Sequence, residues 1–321
     1  MKIGILSLGN LGSAVATLLA NNGHTVMAFE HDAAVVDEVN RQHCNSRYLP
    51  GIVLPQSIQG STNIAEVLQS AEIIFNCIPS RFINPLLESQ RNNLASHVPI
   101  VNMAKGIDAR TRQTATRQLA FLFPDNPLAM LAGPSLANEF IRGVNTVVVA
   151  ASKDRDLARH IAELVSSEHF SVMLSDDIIG VELGGILKNI YAIGLGAAHA
   201  DGKPGLNFIG AFLTQALHEM RRIGTTLGAT PESFYDFSGI GDLITTAMSS
   251  LSHNYHFGQL LGQGMTLQEA ADEVDNLPEG VNTLRTMAAL ASEQQLDTPL
   301  LNALTALLDG STDIRNFKQW G

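Results

Sequence analysis

The chain has 321 residues, a hydrophobic content of 45% and a formal net charge of −11. This length exceeds the size at which one core usually keeps growing, so two domains are expected. The negative charge and the absence of a Lys/Arg cluster exclude nucleic acid as a partner. The apolar runs, such as Thr146–Ala151, are short for a bilayer and glycines interrupt the N-terminal one, which predicts neither membrane insertion nor secretion.

The first fifty residues alternate between strand and helix patterns. A short apolar run over residues 2–6 reaches a glycine turn, helical spacing follows to residue 22, a β-rich run covers 24–29, and a polar helix covers 33–42. Further buried strands are predicted at 73–78, 99–103, 128–132 and 146–150. Such alternation indicates a parallel sheet covered by helices, and we expect this domain to span residues 1–176.

The second half of the chain shows helical patterns with no strand alternation between them. The predicted helices are 178–200, 208–227, 231–237, 241–249, 254–262, 266–274 and 281–294, and Gly184 and Gly185 are expected to allow close helix packing. The fold class is therefore predicted as α/β, with an N-terminal Rossmann-like doubly wound sheet and a C-terminal all-helical domain over residues 177–321.

The turn Ser7-Leu8-Gly9-Asn10-Leu11-Gly12 lies between a predicted strand and helix, the setting in which glycine-rich turns hold a pyrophosphate. Gly9 permits close approach of the backbone, and Gly12 permits close helix packing. Ser7 stands where the first glycine is usual and is expected in a conformation that non-glycine residues adopt. The alternative interpretation is a purely structural turn.

Glu30 ends the second predicted strand, about twenty residues after the glycine turn, where a carboxylate can accept hydrogen bonds from an adenosine ribose. His31 and Asp32 could share or replace this contact, and a solvated carboxylate is the alternative. A carboxylate here would repel a 2′-phosphate, so we expect NAD as the cofactor, with NADP possible and NADH preferred over NADPH.

Two cysteines, Cys44 and Cys77, provide neither a disulfide framework nor metal-ligand spacing, which is typical of a reducing, cytoplasmic compartment. The ten histidines show no zinc spacing, since no Cys or carboxylate in sequence completes a site with His253 and His256. We therefore predict no metal.

Seven segments of this chain match the motifs of one known family in their order and spacing. Along nearly its whole length the chain resembles the bacterial-type NAD(P)-dependent glycerol-3-phosphate dehydrogenases. The segments are RYLPG (47–51), IPS (78–80), AKG (104–106), GPSLANE (133–139), VELGGILKN (181–189), GIGDL (239–243) and EGV (279–281).

The resemblance implies a homodimer that interconverts dihydroxyacetone phosphate and glycerol 3-phosphate in a cleft between two domains, supplying a phospholipid precursor. It places the cofactor on the glycine turn and on five further residues: Gly9, Asn10, Leu11, Gly12, Glu30, His31, Lys105, Ala137 and Glu279. It places the substrate against Lys105, Gly133, Ser135, Lys188, Asn189, Asp242, Ser252, His253 and Asn254.

Catalysis is assigned to Lys188, Lys105 and Asp242, and Lys188 matches the family's general acid/base. Hydride transfer to or from a secondary alcohol requires a group that moves the hydroxyl proton, and a lysine serves if burial and a neighbouring cation disfavour its charged form. Apart from Lys188, residues 183–198 are uncharged. The alternatives are a surface lysine at 188, a solvated turn at Lys105 and an N-cap at Asp242.

The chain departs from the family at His253, where an arginine that contacts the phosphate is usual, and at Ile209 and Gln215, where basic residues are frequent. Because histidine is mostly neutral at pH 7, this loss of charge weakens the case for a phosphorylated substrate. Two alternatives stay open. One is the same chemistry on another hydroxy or keto acid, and the other is a non-catalytic nucleotide-binding sensor.

Overall fold

A computed structural model describes residues 1–200, 202, 204–250, 252–274 and 277–310. The chain forms two compact units, the first from residues 1–105 and 114–178 and the second from residues 106–113 and the chain from residue 179 onward. The short segment 106–113 belongs to the second unit because Ile107 lies in its core and Arg112 pairs with Glu293 at 3.0 Å. The predicted single domain boundary after residue 176 does not include this crossing of residues 106–113 into the second unit.

The first unit is built on an eight-stranded sheet in the order β3-β2-β1-β4-β5-β6-β7-β8. All neighbouring strands are parallel except β6 and β7, which are antiparallel. The first six strands have the order 3-2-1-4-5-6 of dinucleotide-binding sheets. The strands are Lys2–Leu6 (β1), Thr25–Phe29 (β2), Ile58–Ser61 (β3), Ile73–Asn76 (β4), Ile100–Asn102 (β5), Leu128–Ala132 (β6), Thr146–Ala151 (β7) and Phe170–Ser175 (β8).

Seven helices belong to this unit, and the sheet and its helices enclose two apolar clusters. The helices are Asn10–Asn21 (α1), Ala33–Gln42 (α2), Ile64–Ser70 (α3), Ser80–Leu87 (α4), Ala115–Leu122 (α5), Ala137–Phe140 (α6) and Arg155–Val165 (α7). The predicted α/β class with a Rossmann-like sheet is confirmed.

The six inner strands match the predicted apolar runs, whereas β3 and β8 were not predicted. Both lie at the edges of the sheet. An edge strand has one neighbouring strand and does not need a continuous apolar run, and β3 reads Ile-Gln-Gly-Ser. A search for continuous apolar runs therefore finds the inner strands of a sheet and misses its edge strands.

The described part of the second unit is helical, as predicted. Its α-helices are Ile178–Ala198 (α8), Leu206–Thr226 (α9), Asp242–Ala247 (α10), His253–Gly262 (α11), Leu267–Glu273 (α12), Glu279–Glu293 (α13) and Pro299–Leu308 (α14). Helix α8 is the central element, since all its residues from Gly180 to Ala198 are buried. Its glycines allow close approach: a Cβ at Gly184 would lie 2.3 Å from the Ser238 carbonyl oxygen.

The predicted helix over residues 231–237 is wrong in type. Pro231–Tyr235 forms a 3₁₀ turn, and Phe237–Gly241 forms a π-helical turn that leads directly into α10. Gly239 packs against the Phe234 carbonyl oxygen, where an added Cβ would be 2.3 Å away. Such close packing requires glycine, and π-helical turns are frequent at functional sites.

The expectation that every apolar segment is too short to cross a bilayer is wrong for helix α8. Its 21 residues are long and apolar enough to cross a membrane, although the apolar runs were read as too short. Within the protein, 89% of its most apolar window is buried, as in the core helix of a folded domain.

Candidate active site

The glycine turn forms the β1–α1 junction of the first unit. Gly9 is the N-cap of α1 and offers no side-chain oxygen to the first N–H groups of the helix. A Cβ on Gly9 would meet only Ser7 Oγ within 4 Å, whereas one on Gly12 would lie 1.9 Å from the Ser7 carbonyl oxygen. The turn therefore exposes its backbone to a ligand and packs α1 tightly on β1, an arrangement that fits a pyrophosphate.

Ser7 has a φ of 86°, in the left-handed region that favours glycine. The expectation of an ordinary non-glycine conformation is therefore wrong. The Ser7 N–H donates to the Phe29 carbonyl oxygen at 3.0 Å, and Ser7 Oγ accepts from the Gly9 N–H at 3.4 Å. These bonds offset a conformational cost of about 1–2 kcal/mol.

The carboxylate of Glu30 lies under the glycine turn and is only 3% exposed. Its Oε2 accepts from the Leu8 N–H at 3.0 Å, and its Oε1 accepts from the His31 and Asp32 N–H groups at 2.9 and 3.2 Å. The exposed His31 ring places Nδ1 2.5 Å from Oε1. Glu30 thus joins the end of β2 to the glycine turn, and a ribose contact at Glu30 stays a prediction.

Residues 45–48 form hydrogen bonds with the same glycine turn. Asn10 Nδ2 donates to the Tyr48 carbonyl oxygen at 2.7 Å, and Asn45 Nδ2 donates to the Leu8 carbonyl oxygen at 2.8 Å. The side-chain amide of Asn10 is therefore engaged within the protein, and Leu11, half-buried, packs on the core of this unit.

The carboxyl ends of β5 and β6 bring Lys105, Gly133 and Ser135 together. Lys105 Nζ donates to the Gly133 carbonyl oxygen at 3.4 Å, and Ser135 Oγ donates to the same oxygen at 3.0 Å. Gly133 has a φ of 150°, and a Cβ there would lie 2.9 Å from Val148 Cα. Ala137 follows as the buried first residue of α6. Lys105 is half-buried rather than a solvated turn residue.

The second unit holds a buried ion pair between α8 and α10. Lys188 is 6% exposed and Asp242 is 1% exposed. Lys188 Nζ donates to Asp242 Oδ1 at 2.5 Å and to Thr246 Oγ1 at 2.6 Å. Lys188 is thus not a surface lysine, and the N-cap of α10 is Gly241 rather than Asp242. Asp242 thus supplies the opposite charge for the buried ammonium of Lys188.

Thr246 is a site residue that the sequence analysis missed. It lies four residues after Asp242 on α10, so both side chains occupy one helix face and reach Lys188. The sequence signal was available, because Thr at position i+4 from a site carboxylate on a predicted helix falls on the same face.

Helices α8, α11 and α13 carry the remaining candidate residues of the second unit. Ser252 caps α11 by accepting from the Tyr255 N–H, His253 is exposed in its first turn, and Asn254 Oδ1 accepts from the Gly280 N–H at 3.1 Å. A Cβ at Gly280 would lie 2.8 Å from the Asn189 carbonyl oxygen. Asn189 on α8, Asn254 on α11 and Glu279, the first residue of α13, therefore lie in one region.

Within the described residues, no group of three or more His, Cys, Asp or Glu side chains could hold a metal ion. The described residues of the second unit bring together a buried ammonium, a carboxylate and a hydroxyl group at Lys188, Asp242 and Thr246.

Comparison with known proteins gives matches over nearly the whole chain. Residues 2–158 and 177–319 match the family models described as the N-terminus and the C-terminus of NAD-dependent glycerol-3-phosphate dehydrogenase. The glycerol-3-phosphate dehydrogenase [NAD(P)+] of Pseudomonas entomophila is 39% identical over 95% of this chain and 89% of its own length. That of Chelativorans sp. is 36% identical over 97% of this chain and 94% of its own. A crystal structure of the Coxiella burnetii glycerol-3-phosphate dehydrogenase has a TM-score of 0.90 and 29% identity, covering 98% and 96% of the two chains.

Proposed function

This chain belongs to the NAD-dependent glycerol-3-phosphate dehydrogenase family, and we propose that it interconverts dihydroxyacetone phosphate and glycerol 3-phosphate. The observation that carries the proposal is the buried contact of Lys188 with Asp242 and Thr246. A binding protein without catalysis has no need to hold an ammonium group in an apolar helix core, where an ion is costly to bury.

Lys188 moves the proton of the reaction. As the ketone is reduced, the ammonium gives a proton to the carbonyl oxygen, and in the reverse direction the amine accepts the proton of the hydroxyl group. Asp242 and Thr246 fix Nζ from one side, so its position and direction are set before substrate binds. After proton donation, the amine regains a proton from solvent.

The cofactor, when bound, supplies or accepts the hydride. The backbone of Gly9, Asn10, Leu11 and Gly12 at the N-terminus of α1 would hold its pyrophosphate. Glu30 accepts a hydrogen bond from the Leu8 N–H in this turn. With His31 it would meet the adenosine ribose, which would favour NADH over NADPH. The family resemblance adds Lys105, Ala137 and Glu279 as residues that would contact the cofactor.

Both units contain candidate donors for the substrate phosphate and hydroxyl groups. In the first unit these are Lys105, Ser135 and the backbone of Gly133. In the second they are Asn189, Ser252, His253 and Asn254. His253 lies in the first turn of the ten-residue helix α11, whose N-terminus favours an anion. This position supports a phosphate even though arginine is absent.

We propose further that the enzyme is a cytoplasmic homodimer whose product feeds glycerophospholipid synthesis. The support is the resemblance to bacterial glycerol-3-phosphate dehydrogenases over both halves of the chain. Size-exclusion chromatography with light scattering tests the dimer directly.

A second candidate keeps the hydride chemistry and Lys188 but replaces the phosphate ester by another hydroxy or keto acid. The observation that favours it is His253, a side chain without permanent charge in a chain of net charge −11. Initial rates over a panel of phosphorylated and non-phosphorylated ketones, each with NADH and NADPH, distinguish the two. A protein that turns over no ketone with either cofactor contradicts both and favours a nucleotide-binding sensor.

A further inference from the structure

Two asparagines form a buried polar pair at the carboxyl ends of β4 and β5. Asn76 and Asn102 are the last residues of their strands, are aligned as neighbours in the sheet, and are both fully buried. Every other residue of the two strands is apolar. An amide is costly to bury in such surroundings without hydrogen bonds, so the pair requires a reason at this place.

Asn102 bonds both backbone groups of Ala104, and its Nδ2 also donates to Thr116 Oγ1 at 3.1 Å. Asn76 Nδ2 donates to Asn102 Oδ1 at 3.0 Å. The same Asn102 Oδ1 accepts from the Ala104 N–H at 3.1 Å, and Asn102 Nδ2 donates to the Ala104 carbonyl oxygen at 3.3 Å. Asn102 thus clamps Ala104 by both of its backbone groups, and Asn76 supports the clamp from the neighbouring strand.

Ala104 is the residue before Lys105, whose ammonium lies on the Gly133 carbonyl oxygen beside Ser135. The backbone of Ala104 therefore sets the direction of the Lys105 side chain in the loop that follows β5. Asn76 also fixes the neighbouring loop, because its Oδ1 accepts from the Ile78 N–H at 3.4 Å and its carbonyl oxygen accepts from the Met103 N–H at 2.9 Å.

We propose that Asn76 and Asn102 are positioning residues that aim Lys105 at the substrate. The role of Lys105 toward substrate rests on the proposed function, whereas the placement of its ammonium does not. A displacement of about 1 Å in a site can cost on the order of a hundredfold in rate. A clamp on the preceding residue is a direct way to prevent such displacement in a loop.

The first experiment measures the placement of Lys105 without any activity. The purified protein is treated with a water-soluble amine-acetylating reagent, and the acetylation rates of Lys105 and the exposed Lys153 are compared by mass spectrometry. In Asn102→Leu we expect the Lys105 rate relative to Lys153 to rise at least about fivefold. Asn76→Val, which leaves the Asn102 clamp but removes its support, is expected to raise it about twofold and serves if Asn102→Leu does not fold.

The matched control is Asn126→Leu, in the same unit. Asn126 is also a buried asparagine that bonds backbone carbonyl oxygens, those of Ala95 and Val98, at 2.8 Å each. Its loss should lower the unfolding temperature and leave the relative acetylation rate of Lys105 unchanged. An equal rise in the control assigns the effect to general loosening and overturns the proposal.

The second experiment uses steady-state kinetics with dihydroxyacetone phosphate. We expect kcat/KM of Asn102→Leu to fall at least about tenfold, mainly through KM, with the Kd for NADH within twofold of the parent. Folded variants with unchanged kcat/KM and unchanged Lys105 acetylation overturn the proposal. A parent that does not turn over the ketone contradicts the proposed function instead, and the acetylation result then decides the positioning role by itself.

Discussion

Lys188 and Asp242, 54 residues apart in sequence, form an ion pair of 2.5 Å in the core of the second unit. Helix α8 supplies the lysine and the short helix α10 supplies the carboxylate, with Thr246 one turn further along α10. Removing one partner of a buried pair leaves the other charge without compensation, which typically costs about 3–5 kcal/mol. Each variant of this centre therefore changes both chemistry and stability.

Lys188→Ala should lower turnover at least about a hundredfold and leave cofactor binding nearly intact, because the proton-transfer group is lost while the glycine turn is unchanged. The measurements are kcat with dihydroxyacetone phosphate and Kd for NADH. The double variant Lys188→Ala/Asp242→Asn removes the uncompensated charge and should recover stability without recovering turnover. Turnover of Lys188→Ala within a few-fold of the parent removes Lys188 from the mechanism.

Thr246→Val should lower kcat roughly tenfold to a hundredfold with little change in the Kd for NADH. The substitution keeps the shape of the side chain but removes the oxygen that accepts from Lys188, and a hydrogen bond to a charged group contributes about 1.5–3 kcal/mol. Thr305→Val is the control, since the Thr305 hydroxyl donates to a helix carbonyl oxygen within α14, that of Leu301. Equal kinetics for the two variants would count against a role for Thr246.

His253→Arg should tighten the binding of dihydroxyacetone phosphate by about 1–2 kcal/mol, roughly five- to thirtyfold in KM. A guanidinium in the first turn of α11 adds a permanent charge with a fork of donors, which suits a phosphate. His256→Arg, on the same helix and also exposed, controls for added charge. If the natural substrate lacks a phosphate, His253→Arg should instead impair its turnover.

Glu219→Gln should destabilise the protein by about 1–3 kcal/mol, because the buried carboxylate of Glu219 accepts from the N–H groups of Leu300 and Leu301 and from the Tyr191 hydroxyl. Burial raises the pKa of Glu219 above its ordinary value of 4.5, although these hydrogen bonds act in the opposite direction.

A raised pKa in the folded state means that the stability contributed by Glu219 is complete below pH 4.5 and is lost as the pH rises through the folded-state pKa. Glutamine does not titrate, so the gap in stability between parent and Glu219→Gln should narrow as the pH rises. Urea unfolding at a series of pH values from about 5 to 8 measures it. A gap that widens with pH would show that the hydrogen bonds, not burial, control the pKa.

Gly258→Ala should destabilise the second unit by about 1–3 kcal/mol or more. A Cβ there would lie 1.9 Å from the Ile193 carbonyl oxygen on α8, so that α8 and α11 must separate. Gly210→Ala, on α9 with no atom within 4 Å of the added Cβ, should stabilise by about 0.5–1 kcal/mol. Opposite signs in thermal unfolding are the expected result, and equal signs would contradict the packing argument.

The order of the motifs and the apolar runs were sufficient to predict the two-part fold and the helical second unit. They were insufficient at Ser7, where the sequence indicated an ordinary backbone and the structure has a φ of 86°. The bonds of Ser7 to Phe29 and Gly9 stabilise that conformation. The bond to Gly9 is local, whereas the bond to Phe29 exists only once β1 and β2 are assembled. Local preference is overridden there by tertiary contacts.

What the sequence determined by itself is the set of inner strands, the glycine turn and most helices of the second unit, because each depends on the spacing of apolar residues and on turn chemistry within a few residues. The helix Pro299–Leu308 was not predicted, and residues 231–241 form 3₁₀ and π-helical turns instead of the predicted helix. What only the tertiary structure decided is which polar groups meet: Lys188 with Asp242 and Thr246, Glu30 with the Leu8 N–H, and Asn102 with Ala104 beside Asn76. Most of these partners are distant in sequence, and burial makes each hydrogen bond obligatory once the chain has folded.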